Sequence, residues 1–303
     1  NSDGGNLCRA EAEIGITRIS RLKGRYKEAR SHAQQAALAA AKSPQVLARV
    51  KSMEGLTCME MGLMEDSRAL LTEARNLAAK CGEDTTVNIV NMDLAHLYRA
   101  TGEIEPARLV LIEAKKFFEG KNHGLMVGRC ANDLGEIARL DNRLDDAEAY
   151  YREALAINDS AGAESAFVVH MNLGMILAER GHTTSAQEHV EMANLEIVRL
   201  GLNGLHGCSY IISALIAAHR QDWNGWDHSF GKAKELLDES GFIDVDVARG
   251  AQMAAQEAIH QGETSRAVRA LKLALFHWEQ MEREVEAAVV LDLLNELSPE
   301  TIE

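Results

Sequence analysis

The sequence predicts an all-α protein built as a stack of helical hairpins, and three observations predict it. Apolar residues recur three and four apart along nearly the whole chain, the spacing that lines one face of a helix. These helical patterns stop at short turns: "LKGRY" (Gly24), "EMGLM" (Gly62), "ATGEI" (Gly102), "LDNRL" (Asn142), "ERGHT" (Gly181), "HRQDW" (Gln221) and "HQGET" (Gly262). Successive turns lie 38, 40, 40, 39, 40 and 41 residues apart, a regularity that belongs to stacked repeats.

Fixed offsets from each turn justify the elements in order. Seven residues before it stand Thr17, Gly55, Ala95, Gly135, Gly174, Ala214 and Ala255, small side chains on a first helix. Five after it, on a second helix, stand Ala29, Ser67, Ala107, Ala147, Ala186, Trp226 and Ala267. Small residues at both places let two antiparallel backbones approach. Nine after the turn come mostly large apolar residues, Leu71, Leu111, Tyr151, Val190, Phe230 and Leu271, with Ala33 in the first repeat. Twelve after it comes alanine in all seven repeats, from Ala36 to Ala274. These last two positions are expected to pack on the next repeat. Gly at the turn supplies the positive φ that ends a helix, and Pro106 falls where a second helix begins. Residues 9–282 are thus expected to form seven hairpins. Residues 1–8 are expected to be a disordered remnant of a longer protein. Residues 283–303, with "EVEAAVVLDLLNEL", should form a closing helix and tail that cover the last apolar face.

The pattern of a small residue, a turn and A-x3-[large apolar]-x2-A, as in "AEAYYREAL" (147–155), resembles the tetratricopeptide repeat family. The resemblance covers about residues 10–280 and implies a right-handed superhelix whose first helices line a concave face. The period is longer than the family's commoner 34 residues, and the terminal proline of each unit is absent. "NDLGEIARL" (132–140) and "MNLGMILAERG" (171–181) look like the long-helix variety of kinesin light chains, Pins/LGN scaffolds and bacterial peptide-sensing regulators. "DW-x-x-WD-x-x-F" with "HWEQMEREVEA" is similar to the C-terminal arrays of bacterial Ser/Thr kinases and STAND-type ATPases. That similarity implies a regulatory or sensor arm of a larger signalling protein.

Composition narrows the function. A formal net charge of −14 argues against a general nucleic-acid binder and an anionic membrane surface. No run reaches the length of a membrane span. The five cysteines are scattered, without a CxxC pair, as in a reducing cytoplasm. No phosphate-binding glycine loop, HExxH or GxSxG is present, and the eleven histidines show no metal-ligand spacing. We therefore expect no catalysis and no cofactor, and a cytoplasmic protein.

The resemblance implies that groove-facing residues stand about thirteen, ten, nine, six and three before each turn. In the first four repeats these include Glu11, Arg18, Arg21, Arg49, Asp93, His96, Arg99, Arg129, Asn132, Asp133, Glu136 and Arg139. In the fifth and sixth they are Val168, Met171, Asn172, Met175, Ile211 and Leu215. One end is charged and arginine-rich, the other apolar. Guanidinium forks would grip carboxylates, Asn132 and Asn172 would bond peptide amides, and the Met/Ile patch would take an apolar anchor. Arginines collected on a concave wall of so acidic a protein point to an acidic peptide, or one ending in a free carboxylate. Two other uses stay open: the arginines pair with their own acids, or the apolar patch is buried within the stack. The alternatives to a peptide-binding scaffold are a metabolite-sensing repeat domain and a homo-oligomerising scaffold. Trp226 occupies a small-residue position, so the sixth hairpin is expected to splay around it, with Ala214, Ala217 and Ala218 receiving the indole.

Overall fold

The computed structural model describes residues 2–161 and 166–297. Fifteen helices and no strand occupy them, and 86% of these residues are helical. Two compact units divide the chain, Asn1–Ala163 and Glu164–Glu303. The first holds α1 (Ser2–Leu22), α2 (Tyr26–Ala39), α3 (Pro44–Glu60), α4 (Met64–Lys80), α5 (Asp84–Ala100), α6 (Ile104–Gly120), α7 (Gly124–Leu140) and α8 (Leu144–Ala161). The second holds α9 (Ala166–Glu179), α10 (Thr183–Arg199), α11 (Asn203–His219), α12 (Trp223–Ser240), α13 (Val245–His260), α14 (Thr264–Gln280) and α15 (Glu284–Leu297).

All seven turn residues of the sequence pattern adopt positive φ, from 55° at Gln221 to 80° at Gly102. The turn at 102 shows the geometry. The Gly102 N–H donates to the Arg99 carbonyl at 3.2 Å and the Glu103 N–H to that of Tyr98 at 2.7 Å, satisfying carbonyls the helix end leaves bare. Glu103 already starts the next helix: its carbonyl accepts from the Ala107 N–H. One left-handed residue therefore reverses the chain. The turns between repeats use the same device at Gly82, Asn122, Gly201, Gly241 and Glu282. Side-chain capping is rare by contrast; Asp222 and Asp244 cap α12 and α13.

The small-residue register has a direct physical reading. A Cβ added at Gly55 would lie 2.8 Å from Leu71, at Gly135 2.6 Å from Tyr151, and at Gly174 2.9 Å from Val190. The large residue nine after each of these turns therefore rests on the glycine seven before it, inside its own hairpin. It also reaches onward: Leu71 and Ala74 join Val90, Leu94 and Leu97 of the following helix. Leu111 and Ala114 likewise pack with Met126, Cys130 and Leu134. First helices pack on one another as well, α1 on α3 and α3 on α5 in the first unit, α9 on α11 and α11 on α13 in the second.

Two expectations need correction. Residues 2–8, expected to be disordered, form the opening turns of α1. Once the rest of α1 is nucleated on its packed face, each further residue adds a hydrogen bond with few dihedrals left to fix. The sixth hairpin does not splay either, since α11 and α12 pack as closely as the hairpins of α3/α4 and α7/α8. The buried Trp226 indole stacks flat on Phe230, with centroids 4.7 Å apart and planes 6° apart. Ala214, Ala217 and Ala218 on α11 are all buried small residues, which leaves room for it. From the next hairpin, Arg269 covers both rings and Arg266 covers Trp223. Both guanidinium groups bond the Asp227 carboxylate, at 2.6 Å and 2.7 Å. "WNGWDHSF" is thus a clasp between α12 and α14.

Candidate binding face

The first helices of the first unit carry the predicted charged face, and their packing decides what those charges do. Arg21 on α1 forms a two-bonded fork with Glu60 on α3, at 2.9 and 2.7 Å. Arg49 on α3 reaches back to Glu11 on α1 in the same way, at 2.7 and 3.2 Å. Between α5 and α7, Arg99 bonds Glu136 and His96 lies 3.4 Å from Asp133. These pairs join neighbouring repeats, not positions three or four apart on one helix. The Arg21 and Glu60 side chains are only 17% and 25% exposed, so salt screens that pair less than Arg49–Glu11, at 49% and 47%.

Deeper in the same face lies Asp93, buried on α5. The Ser52 hydroxyl of α3 donates a short hydrogen bond to its carboxylate. Burial pushes the Asp93 carboxyl above the usual carboxylate range, while Ser52, His96, Arg129 and Arg21 pull the other way. Burial also works against the charge on Arg21, but Glu60 outweighs it and holds that guanidinium above its ordinary value. Asn132 is buried beside Asp133, its amide donating to that carboxylate at 3.4 Å. Arg139 is buried on α7. Arg18 and Arg129 stay exposed and make no ion pair among the described residues; the Arg129 guanidinium contacts the Met126 sulfur at 3.8 Å.

The predicted apolar end is different. Met171, Asn172, Met175, Ile211 and Leu215 are all buried, and of that group only Val168 is exposed. Their place is inside the second unit, where α9, α11 and α13 converge. A Cβ at Gly250 would sit 2.7 Å from Ile211 and 3.1 Å from Met175, so glycine lets α13 close over both. The expectation of an exposed Met/Ile anchor site is therefore corrected: these side chains are core. Sequence reasoning passed over Ser52 and Gly250. Ser52 stands ten before its turn, the offset of Asn132, so it had a signal; Gly250, twelve before its own, falls at none of the groove offsets and had none.

Among the described residues no group of three or more His, Cys, Asp or Glu side chains is placed to hold a metal. All five cysteines are free, and burial pushes the Cys130 thiol up to about 12. No described helix is long and apolar enough to cross a membrane.

Comparison with known proteins bears on the fold. The tetratricopeptide repeat profile matches residues 127–158, which run from α7 into α8. No curated protein matches the sequence at a significant level. Among solved structures, the chain is similar to the Rap conjugation gene regulator of plasmid pLS20, in complex with the Phr* peptide. That likeness has a TM-score of 0.72 at 17% identity, over 91% of this chain and 75% of that one. It is also similar to a Rap protein complexed with Competence and Sporulation Factor, with a TM-score of 0.65 at 13% identity, over 97% and 76%. A third similar structure is aspartyl phosphate phosphatase F from Bacillus subtilis, with a TM-score of 0.56 at 7% identity, over 88% and 75%. At these identities the likeness is one of fold. Residues 127–158 match a tetratricopeptide repeat, and the chain around them has the fold of TPR-like helical-repeat proteins.

Proposed function

We propose that this chain is a non-catalytic scaffold that binds a peptide or protein segment on the first-helix face of its first unit. It would serve as the regulatory or sensor arm of a larger cytoplasmic signalling protein. The observation that carries the binding reading is the contrast between the two units. Equivalent inner positions on α9 and α11 are mostly Met, Ile and Leu, with Asn172, whereas the first unit holds Ser52, Asp93, His96, Asn132 and Asp133 there, all buried except the half-buried His96. Contacts between neighbouring helices hold Ser52 to Asp93 and His96 to Asp133, so a ligand meets a wall already ordered. One similar fold was solved with the Phr* peptide and another with Competence and Sporulation Factor, which supports the same use.

The pairing of Arg21, Arg49 and Arg99 moves the candidate anchors. A ligand carboxylate would find Arg18 and Arg129, not the arginines already forked onto Glu60, Glu11 and Glu136. The test is to titrate the protein with a fluorescent pool of random peptides bearing a free C-terminal carboxylate, and with the same pool amidated. The free-acid pool should bind roughly tenfold better, and Arg18→Glu with Arg129→Glu should erase that preference while helical circular dichroism stays unchanged. Equal binding of the two pools would overturn the carboxylate reading. Binding of neither pool would overturn the peptide-binding face itself.

A further inference from the structure

The outer face of α10 carries a pattern that inward packing does not use. Its buried side is Ala186, Val190, Ala193 and Ile197, at the three- and four-residue spacing of a packed helix. On the opposite side Met192, Leu195 and Val198 are 52, 67 and 59% exposed. Exposing single apolar residues is ordinary; three large ones within seven residues on one helix face form a patch.

The order of residues along that face says what covers it. Glu188, Met192, Leu195 and Arg199 follow one another at spacings of four, three and four, all exposed. This is the spacing of a coiled-coil seam, and a second α10 laid antiparallel presents the same seam in reverse. With the two-fold axis between positions 193 and 194, Met192 meets Leu195 of the second copy, and Leu195 meets its Met192. In the same register Glu188 meets Arg199 of the second copy at one end, and Arg199 meets Glu188 at the other. Val198 lies beside the seam and widens its apolar strip. Arg199 already bonds Glu196 at 2.6 Å, three residues back on its own helix. It would be shared between the two carboxylates, as surface guanidinium groups with five donors allow. The face is complementary to itself in its apolar pattern and its charge, as a two-fold interface requires.

We propose that two copies of this chain associate through antiparallel pairing of their α10 helices. The proposal is independent of the peptide-binding face, which lies on the first helices of the other unit. One helix pair covers far less surface than a permanent dimer needs, so the association should be reversible and concentration-dependent.

Sedimentation velocity of the 303-residue chain over a concentration series provides the test. The native chain should shift from monomer to dimer as concentration rises, and Leu195→Glu should stay monomeric with native helical circular dichroism. Glu188→Arg alone puts arginine against arginine, and Arg199→Glu alone puts glutamate against glutamate. Each should weaken dimerisation roughly tenfold, because both ends of the seam are hit at once. The double exchange, Glu188→Arg with Arg199→Glu, should restore it to near the native level. A native chain that stays monomeric at every concentration overturns the proposal. So does a dimer indifferent to Leu195→Glu, or one that the double exchange fails to rescue.

Discussion

At the scale of single residues, His277 carries the clearest electrostatic consequence. It is buried on α14, and its Nδ1 accepts the Asp244 N–H at 3.3 Å, at the start of α13. Burial pulls its imidazole down to about 4, with Asp238 opposing weakly. The unfolded chain, with an ordinary histidine near 6.5, binds more protons between those two values. Stability from this group is therefore complete above about pH 6.5 and drains away as pH falls toward 4, by up to about 3 kcal/mol. Urea midpoints from pH 7.5 down to 4.5 should fall more steeply for the native chain than for His277→Gln, whose amide oxygen can still accept. Parallel curves would mean the imidazole is not held neutral. Asp93 teaches the opposite lesson about legibility. Its place on the wall was readable from its offset, but its burial was not, and its partner Ser52 lies 41 residues away, so only the packed register brings them together.

At the scale of the helix, the register predicts how neighbouring alanines on α8 differ. Ala147 is fully buried at the close-approach position, while Ala149, two residues on, is exposed. Ala147→Leu should destabilise by about 1–3 kcal/mol through overpacking, and Ala149→Leu should stay within about 0.5 kcal/mol. Thermal or urea unfolding of the two variants side by side decides it, and equal effects would refute the register. Helices and turns were legible here because each is fixed by local rules: a repeated small residue, an apolar stripe, one left-handed residue. Trp226 was misjudged for the same reason. Read along one hairpin, an indole at a small position implies splaying. Stacked on Phe230 beneath Arg269, it is accommodated by the following hairpin, which a reading of one repeat leaves out.

At the scale of the whole molecule, the repeat count and spacing were readable, whereas the use of the candidate face was not. Arg21, Arg49 and Arg99 look like ligand anchors in sequence because their acids lie a full repeat away, beyond any helical spacing. Met175 and Ile211 look like an exposed patch until Gly250 is seen to bring α13 over them. Such a stack should respond locally to damage. Asp227→Ala removes the carboxylate that joins Arg266 and Arg269 to α12. The site is partly exposed and screened, so the cost should be about 1 kcal/mol or less. Hydrogen exchange should quicken in α12 to α14 and stay unchanged in α1 to α6. Uniform quickening throughout would contradict a nearest-neighbour stack.

The inter-repeat bonds described above join residues 37 to 42 apart, from Arg99 with Glu136 to Asp227 with Arg269. None of these bonds closes a long loop, so the entropy of ordering the chain is met in small, equal steps. A chain so wired has low contact order, and its folding rate should be set by one hairpin docking on the last. During synthesis, each finished repeat becomes the template for the next about forty residues later. Only the newest helix then waits with its apolar stripe uncovered, and the interval in which a half-made chain can aggregate stays short however many repeats are added.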